Sequence, residues 1–314
     1  MGYQVAPLAE NRGFGALVTD LSVDQLEDPQ VARDLRKIWL DRGVMVIRGL
    51  PSDQETHVRL GECFGEIENH PLSEGREGLL PQIVDVYAGD EDGDIYDLGN
   101  GDVRAGWLPW HFDLCYSDKI NHGGILRAVS LPPAGGKTGF IDHIEAYTTL
   151  PEPLRKKIDG LSVLYEMEFD ASRMKFGRTP GIRIIRRQSR TMRWAGRAEE
   201  LPRSVHPMVY SQPGTGRPIL HVSPWFASGI EGHEDEAGNA LLEEVIRYVT
   251  DDKLAYYHTW EPDDYVLWDN WRMMHSATGV PVGQTRHLQR VALAGDNRMG
   301  RMENGAKSET QLVM

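Results

Sequence analysis

Apolar residues in this chain recur with two different spacings. Val31, Leu35, Ile38 and Trp39 fall at i, i+4, i+7 and i+8, one face of a helix packed on a core. Pro29 suits its first position and Gly43 its stop, which predicts a helix over 29–42. The unbroken run Val44-Met45-Val46-Ile47, closed by Arg48-Gly49, predicts a buried strand. Ser52 with Glu55 three residues on reads as a capping box that opens a helix over 53–64. Leu241, Leu242, Val245, Ile246 and Val249 predict another helix over 239–250, and shorter helical turns are expected at 144–149 and 152–158.

Elsewhere the period is that of strands. Short runs are predicted at 81–87, 107–112, 123–129, 138–141, 161–167, 205–210, 218–222, 255–260, 265–268, 273–276 and 286–294. Turns such as Leu131-Pro132-Pro133-Ala134-Gly135-Gly136 and Pro213-Gly214-Thr215-Gly216 separate them. Many short strands with few flanking helices predict a mainly β fold of the jelly-roll, cupin-like type, a double-stranded β-helix. The whole chain, 1–314, is expected to form one domain. The acidic stretch Asp90-Glu91-Asp92-Gly93-Asp94-Ile95-Tyr96-Asp97 lacks the position-12 Glu of a calcium loop and is expected to be a solvated, mobile loop near the site mouth. Residues 170–203 lose periodicity and carry ten Lys and Arg against Asp170, Glu199 and Glu200. They read as a basic, lid-like insertion, or simply as a solvated basic surface. The tail from Asn297 is polar and expected to fray.

Composition narrows the function. A formal net charge of −13 argues against a general affinity for nucleic acid or anionic membrane. No run of about 18 apolar residues occurs, and the N-terminus lacks a basic segment followed by an apolar one. Only Cys63 and Cys115 are present, so neither a disulfide framework nor a cysteine zinc site is expected. These features predict a cytoplasmic protein.

The candidate chemistry begins at Trp110-His111-Phe112-Asp113 and is answered by Trp268-Asp269-Asn270-Trp271-Arg272-Met273-Met274-His275. In a strand, i and i+2 share a side, so His111 and Asp113 can converge on one ion while Phe112 faces away. His275 must then arrive from another strand. Two imidazoles and one carboxylate form the facial ligand set of non-haem Fe(II), with the opposite face open for O2 chemistry. A short His-x-Asp pattern is weak by itself.

Further strings, in order, strengthen it: Gly15-Ala16-Leu17-Val18-Thr19-Asp20-Leu21-Ser22, Gly43-Val44-Met45-Val46-Ile47-Arg48-Gly49, Phe64-Gly65-Glu66-Ile67-Glu68-Asn69-His70-Pro71, Val205-His206-Pro207-Met208-Val209 and Arg286-His287-Leu288-Gln289-Arg290. With these the chain resembles, along almost its whole length, the taurine dioxygenase / 2,4-dichlorophenoxyacetate dioxygenase (TauD/TfdA) family. The resemblance implies an Fe(II)- and 2-oxoglutarate-dependent dioxygenase acting on a small, anionic organic molecule with release of succinate and CO2. It implies His111, Asp113 and His275 as iron ligands, and Thr138 and Arg286 as the pair that binds the distal carboxylate of 2-oxoglutarate. A guanidinium fork and a hydroxyl suit that carboxylate. Arg290, on the same strand face as Arg286, and His70 match positions for the anionic head of the substrate. A homo-oligomer, dimer or tetramer, is expected.

The sequence also departs from the taurine enzyme. Ser73 stands where a tyrosine is expected, and Trp107-Leu108-Pro109 replaces an expected asparagine. Trp107, Tyr116, Trp225 and Phe226 either enlarge an aromatic pocket or serve as plain core. Asp113 favours hydroxylation over halogenation, and desaturation, ring closure and oxidative cleavage stay open. His143-Ile144-Glu145 has no distal partner. His206 reads as structural, and His122, His221, His258 and His287 as ordinary. Cys115 reads as a small buried apolar residue more than a pocket thiol. The alternatives are a tailoring oxygenase for a larger or carrier-bound natural product, and a non-catalytic β-barrel binding protein.

Overall fold

The computed structural model describes residues 2–68, 78–89, 93–99, 101–188, 201–295 and 299–305. Two sheets form the body of the molecule. The larger runs β1 (Gln4–Pro7), β2 (Ala16–Thr19), β3 (Val44–Ile47), β17 (Tyr265–Asp269), β8 (Gly123–Ser130) and β19 (Arg286–Leu293). Its far edge is made by β4 (Ile67–Glu68) and β5 (Val84–Ala88), which pair with different parts of β19. The second sheet runs β11 (Arg183–Arg186), β6 (Ile95–Asp97), β7 (Val103–His111), β18 (Met273–Pro281), β9 (Thr138–Asp142) and β16 (Ala255–His258). Two smaller groups complete the strands: β15 (Ala227–Ile230), β10 (Ser162–Tyr165), β12 (Ser204–Pro207) and β20 (Arg301–Met302), and the pair β13 (Val209–Ser211) and β14 (Pro218–Leu220). The sheets are not closed into one barrel.

Three apolar clusters explain the layering. Leu126, Trp268 and Leu288 of the larger sheet meet Phe140 and Met273 of the second in the inner core. The other face of the larger sheet packs on α1 (Pro29–Arg42) and α2 (Gln54–Glu62) through Leu35, Trp39, Leu60 and Ile125. The outer face of the second sheet, with Ile141 and Met274, packs on α3 (His143–Thr149), α4 (Glu152–Ile158) and α5 (Glu236–Val249). The expected mainly β, cupin-type double-stranded β-helix with flanking helices is present.

Several local expectations need correction. The cap of α2 is Asp53, whose carboxylate accepts from Thr56 N at 2.7 Å. Ser52 is instead engaged by Arg127 and bonds the Ala128 carbonyl. The strand expected over 205–210 divides at Met208. Pro207 has no amide to continue the ladder, and Met208 N donates to Leu161 O. The acidic stretch is not a loop throughout. Residues 90–92 lie outside the described residues, but β6 is buried, and Arg183 neutralises Asp97 at 3.0 Å. The basic segment also has structure. Ala171, Met174 and Ile182 bury against Tyr96, and Arg187 pairs with Asp170 at 2.7 Å. Its residues 189–200 lie outside the described residues. Part of the tail is ordered too: Met302 is buried on β12, and Arg203 holds Glu303.

Candidate active site

His111 is the last residue of β7 and stands opposite His275 of β18, next to an irregularity in that pairing. Their ring centroids are 4.3 Å apart. The carboxylate of Asp113 completes the group: Oδ1 lies 3.5 Å from His111 Nε2 and 3.6 Å from His275 Nε2. One ligand atom from each of the three residues falls within 4.8 Å of the others. Ligands at right angles on an ion with bonds of about 2.1 Å sit roughly 3 Å apart, so a small contraction would close the set on a metal. The convergence does not come from strand geometry alone. The strand ends at His111, and Leu114 adopts a left-handed φ of 58° that turns the chain away. Phe112 faces the other way, stacked on His221 at 4.1 Å.

The protonation states suit a metal. His111 Nδ1 bonds the Pro109 carbonyl at 2.8 Å, which makes Nδ1 the donor and leaves Nε2 free as a ligand. Burial, reinforced by His111, pushes His275 down to about 4, so it is neutral at pH 7. Burial pushes the Asp113 carboxyl up, but the Arg290 guanidinium and the two imidazoles outweigh it and hold it well below the usual carboxylate range. Arg290 donates to Asp113 Oδ2 at 2.7 Å, and its guanidinium lies 5.2 Å from the Trp268 ring centroid.

Arg286 is 4% exposed, yet no carboxylate pairs with it among the described residues. One nitrogen donates to Gly136 O at 2.8 Å, and Nε has no partner among the described residues. Burial alone pushes its pKa down to about 10, so it remains a cation at pH 7. Thr138 lies two residues beyond Gly136, buried, with its hydroxyl oxygen accepting from Trp260 Nε1 at 3.1 Å. Its hydroxyl proton is thereby left for another acceptor. An isolated buried guanidinium is costly without an anion, so this environment fits the carboxylate of an acid cosubstrate. His70, the other substrate-head position, lies outside the described residues.

Four other histidines have other work. His143 bonds the Leu220 carbonyl, His206 that of Ser117, and His258 and His287 pair with Asp264 and Asp85. Cys115 is fully buried, and burial pushes its thiol well up. Trp225, one of the candidate pocket aromatics, sets its ring edge-on to His111 at 5.3 Å. One further residue at the site was not singled out by sequence reasoning. Asn270 touches Asp113 directly. The only signal for Asn270 was its place in the Trp268-Asp269-Asn270 string.

A scaffold of facing sheets with a His-Asp-His cluster, and on β19 a buried arginine with no acid partner among the described residues, fits a non-haem iron, 2-oxo-acid type of dioxygenase. Residues 4–292 match the family described as taurine catabolism dioxygenase TauD, TfdA family, and the chain belongs to it. It is 27% identical over 287 residues to the alpha-ketoglutarate-dependent 2,4-dichlorophenoxyacetate dioxygenase of Burkholderia sp. (strain RASC), covering 90% of this chain and 92% of that protein. It is 28% identical over 274 residues to pentalenolactone F synthase of Streptomyces arenae, covering 85% and 88%. A crystal structure of a taurine dioxygenase from Burkholderia xenovorans superposes with a TM-score of 0.70 at 24% identity, covering 98% of this chain and 96% of that one, and shows the shared fold. The chain is a 2-oxoglutarate-dependent dioxygenase that requires Fe(II), 2-oxoglutarate and O2.

Proposed function

We propose that His111, Asp113 and His275 hold the iron, that Arg286 and Thr138 hold the distal carboxylate of 2-oxoglutarate, and that Arg290 and His70 receive the anionic head of a small organic substrate. Bound Fe(II) with 2-oxoglutarate and O2 supplies the oxidising chemistry, and succinate and CO2 are released. The protein's own part is orientation. His111 is locked in one tautomer by the Pro109 carbonyl, and His275 is kept neutral by burial. The observation that carries the reading is Arg286, a buried cation with no acid partner among the described residues, on the strand that also bears Arg290. Arg290 spends one nitrogen on Asp113 while its Nε has no partner among the described residues, which leaves donors for a substrate anion. The aromatic rings of Tyr116, Phe226 and Trp225 pack side by side, with Trp225 against His111, and support a substrate with an apolar body.

The likeness to pentalenolactone F synthase favours, as a second reading, a tailoring oxygenase for a larger intermediate. A role for the basic segment in docking a carrier gains less support, because Arg183 and Arg187 are already paired with Asp97 and Asp170. A screen of Fe(II)-dependent succinate release over carboxylates, sulfonates and apolar ring compounds tests both. Turnover of small anions supports the first reading, and turnover of uncharged polycyclic substrates alone overturns it. We further propose one catalytic domain, active as a homo-oligomer in the cytoplasm. The unpaired cysteines Cys63 and Cys115 support a reducing compartment, and light scattering tests the assembly. No helix among the described residues is long and apolar enough to cross a membrane.

A further inference from the structure

Asp113 lies beyond the end of its strand, so no ladder holds its backbone. The next residue, Leu114, is in the left-handed region at φ 58°, which disfavours the conformation for a side chain of that kind. A buried peptide unit in such a place needs partners from elsewhere. Asn270 supplies both. Its Oδ1 accepts from Asp113 N at 3.0 Å, and its Nδ2 donates to Asp113 O at 3.1 Å. The side-chain amide thus does for one residue what a neighbouring strand would do.

Asn270 is itself fixed. It is 0% exposed, its Nδ2 also donates to Asn121 Oδ1 at 3.0 Å, and its backbone N donates to His122 O at 2.8 Å. It sits in the turn between β17 and β18, and that turn is braced on either side. Asp269 accepts from Trp271 N and Gln212 Nε2, and Arg272 forms a buried pair with Asp142 at 2.6 Å. The same turn leads directly into the strand that carries His275. Asn270 is therefore the one described side chain hydrogen-bonded to both backbone groups of Asp113 while belonging to the His275 arm.

We propose that Asn270 is a positioning residue for the iron site, setting the distance of the Asp113 carboxylate from His111 and His275 through the Asp113 backbone. This rests on the reading of Asp113 as a metal ligand. Groups that orient a metal ligand without touching the metal typically change affinity by about 10- to 100-fold when removed.

The test compares wild type with Asn270→Ala and the nearly isosteric Asn270→Asp, which keeps the acceptor for Asp113 N–H and loses the donor to its carbonyl. Fe(II) affinity is measured without oxygen, together with the visible band formed with 2-oxoglutarate and the melting point of the metal-free protein. The expected result is a loss of Fe(II) affinity of about 10-fold or more in Asn270→Ala, a smaller loss in Asn270→Asp, and a displaced band in both. Lower melting points with unchanged affinity and band would reduce Asn270 to a structural residue and overturn the proposal. Hydrogen exchange on metal-free wild type needs no variant: the Asp113 amide is expected to be protected, and rapid exchange there also overturns it. His111→Ala is the separate control. If that variant still binds Fe(II) with the same band, the assignment of the site has failed, and the Asn270 inference falls with it for a distinguishable reason.

Discussion

Replacing Arg286 with methionine removes a cation that the metal-free, ligand-free protein buries at a cost. The guanidinium is 4% exposed, has one bond to the Gly136 carbonyl and no acid partner among the described residues. Burial lowers its pKa from 12.5 to about 10, which corresponds to roughly 3 kcal/mol against the charged form. The sign follows from the direction. A base with a depressed folded value carries its full penalty at every pH below that value and is relieved only above it, so the whole deficit is present at pH 7. Methionine has a comparable unbranched reach and no charge. Its cost is the donor lost to Gly136 O, about 1 kcal/mol. The variant without ligand should therefore be more stable by roughly 2 kcal/mol, or about 4 °C in melting temperature for a chain of this size. With 2-oxoglutarate that advantage closes. Loss of one partner of a buried charge pair costs about 2–5 kcal/mol, so affinity should fall by about 30-fold or more, and a concentration giving wild type roughly 2.7 kcal/mol of stabilisation should give the variant about 0.9 kcal/mol or less. Differential scanning calorimetry with and without 2-oxoglutarate measures both effects. A ligand-free variant that melts several degrees below wild type, or one that keeps the full 2-oxoglutarate shift, would refute the reasoning.

Arg290 and the buried histidines are open to separate perturbations. Arg290→Gln should raise the KM for an anionic substrate by at least about 30-fold, the charge-pair magnitude again, while leaving 2-oxoglutarate affinity within a few-fold; steady-state kinetics on the identified substrate check this, and an unchanged KM would contradict it. Burial holds His57 down to about 3 and His143 and His206 to about 4. Their unfolded values lie near 6.5, so stability is complete above that pH and is lost as pH falls from about 6.5 towards 4, by roughly 3 kcal/mol for each of His143 and His206. His206→Gln, which can still donate to the Ser117 carbonyl, should flatten the melting-temperature curve over that window; parallel curves for wild type and variant would show that His206 does not contribute.

Much of the fold was legible in the chain because local signals agreed with tertiary packing. The Pro29 start and the Gly43 stop bound α1, and the apolar face that predicted it is the one buried as Leu35 and Trp39. What was misread depended on long-range partners. Ser52 lost the cap of α2 because Arg127 and the Ala128 carbonyl claim it, leaving Asp53 one residue closer to the helix. The acidic character of 90–97 hid a strand, because the counter-charge for Asp97 is Arg183, far along the sequence. The unbroken run over 205–210 concealed the change of sheet at Pro207 and Met208.

The site divides along the same line. Residue types that carry a charge or a metal-binding nitrogen stood out, and the structure brings His111, Asp113 and His275 together and buries Arg286 without an acid partner among the described residues. The pairing of Arg290 with Asp113 could not be read from the chain, because it joins the end of one strand to the middle of another across the two sheets. Asn270 was invisible for a related reason. A neutral amide has no distinctive spacing, and its contribution exists only once Asp113 has left its strand.

The proposed binding of Fe(II) by His111, Asp113 and His275, together with 2-oxoglutarate, is tested most directly by an anaerobic optical titration of the metal-free protein with Fe(II) and 2-oxoglutarate, run in parallel on His111→Ala. The expected result is a weak visible charge-transfer band that saturates at one Fe(II) per chain in wild type and is absent from the variant. No band in fully iron-loaded wild type, or the same band in His111→Ala, would contradict it.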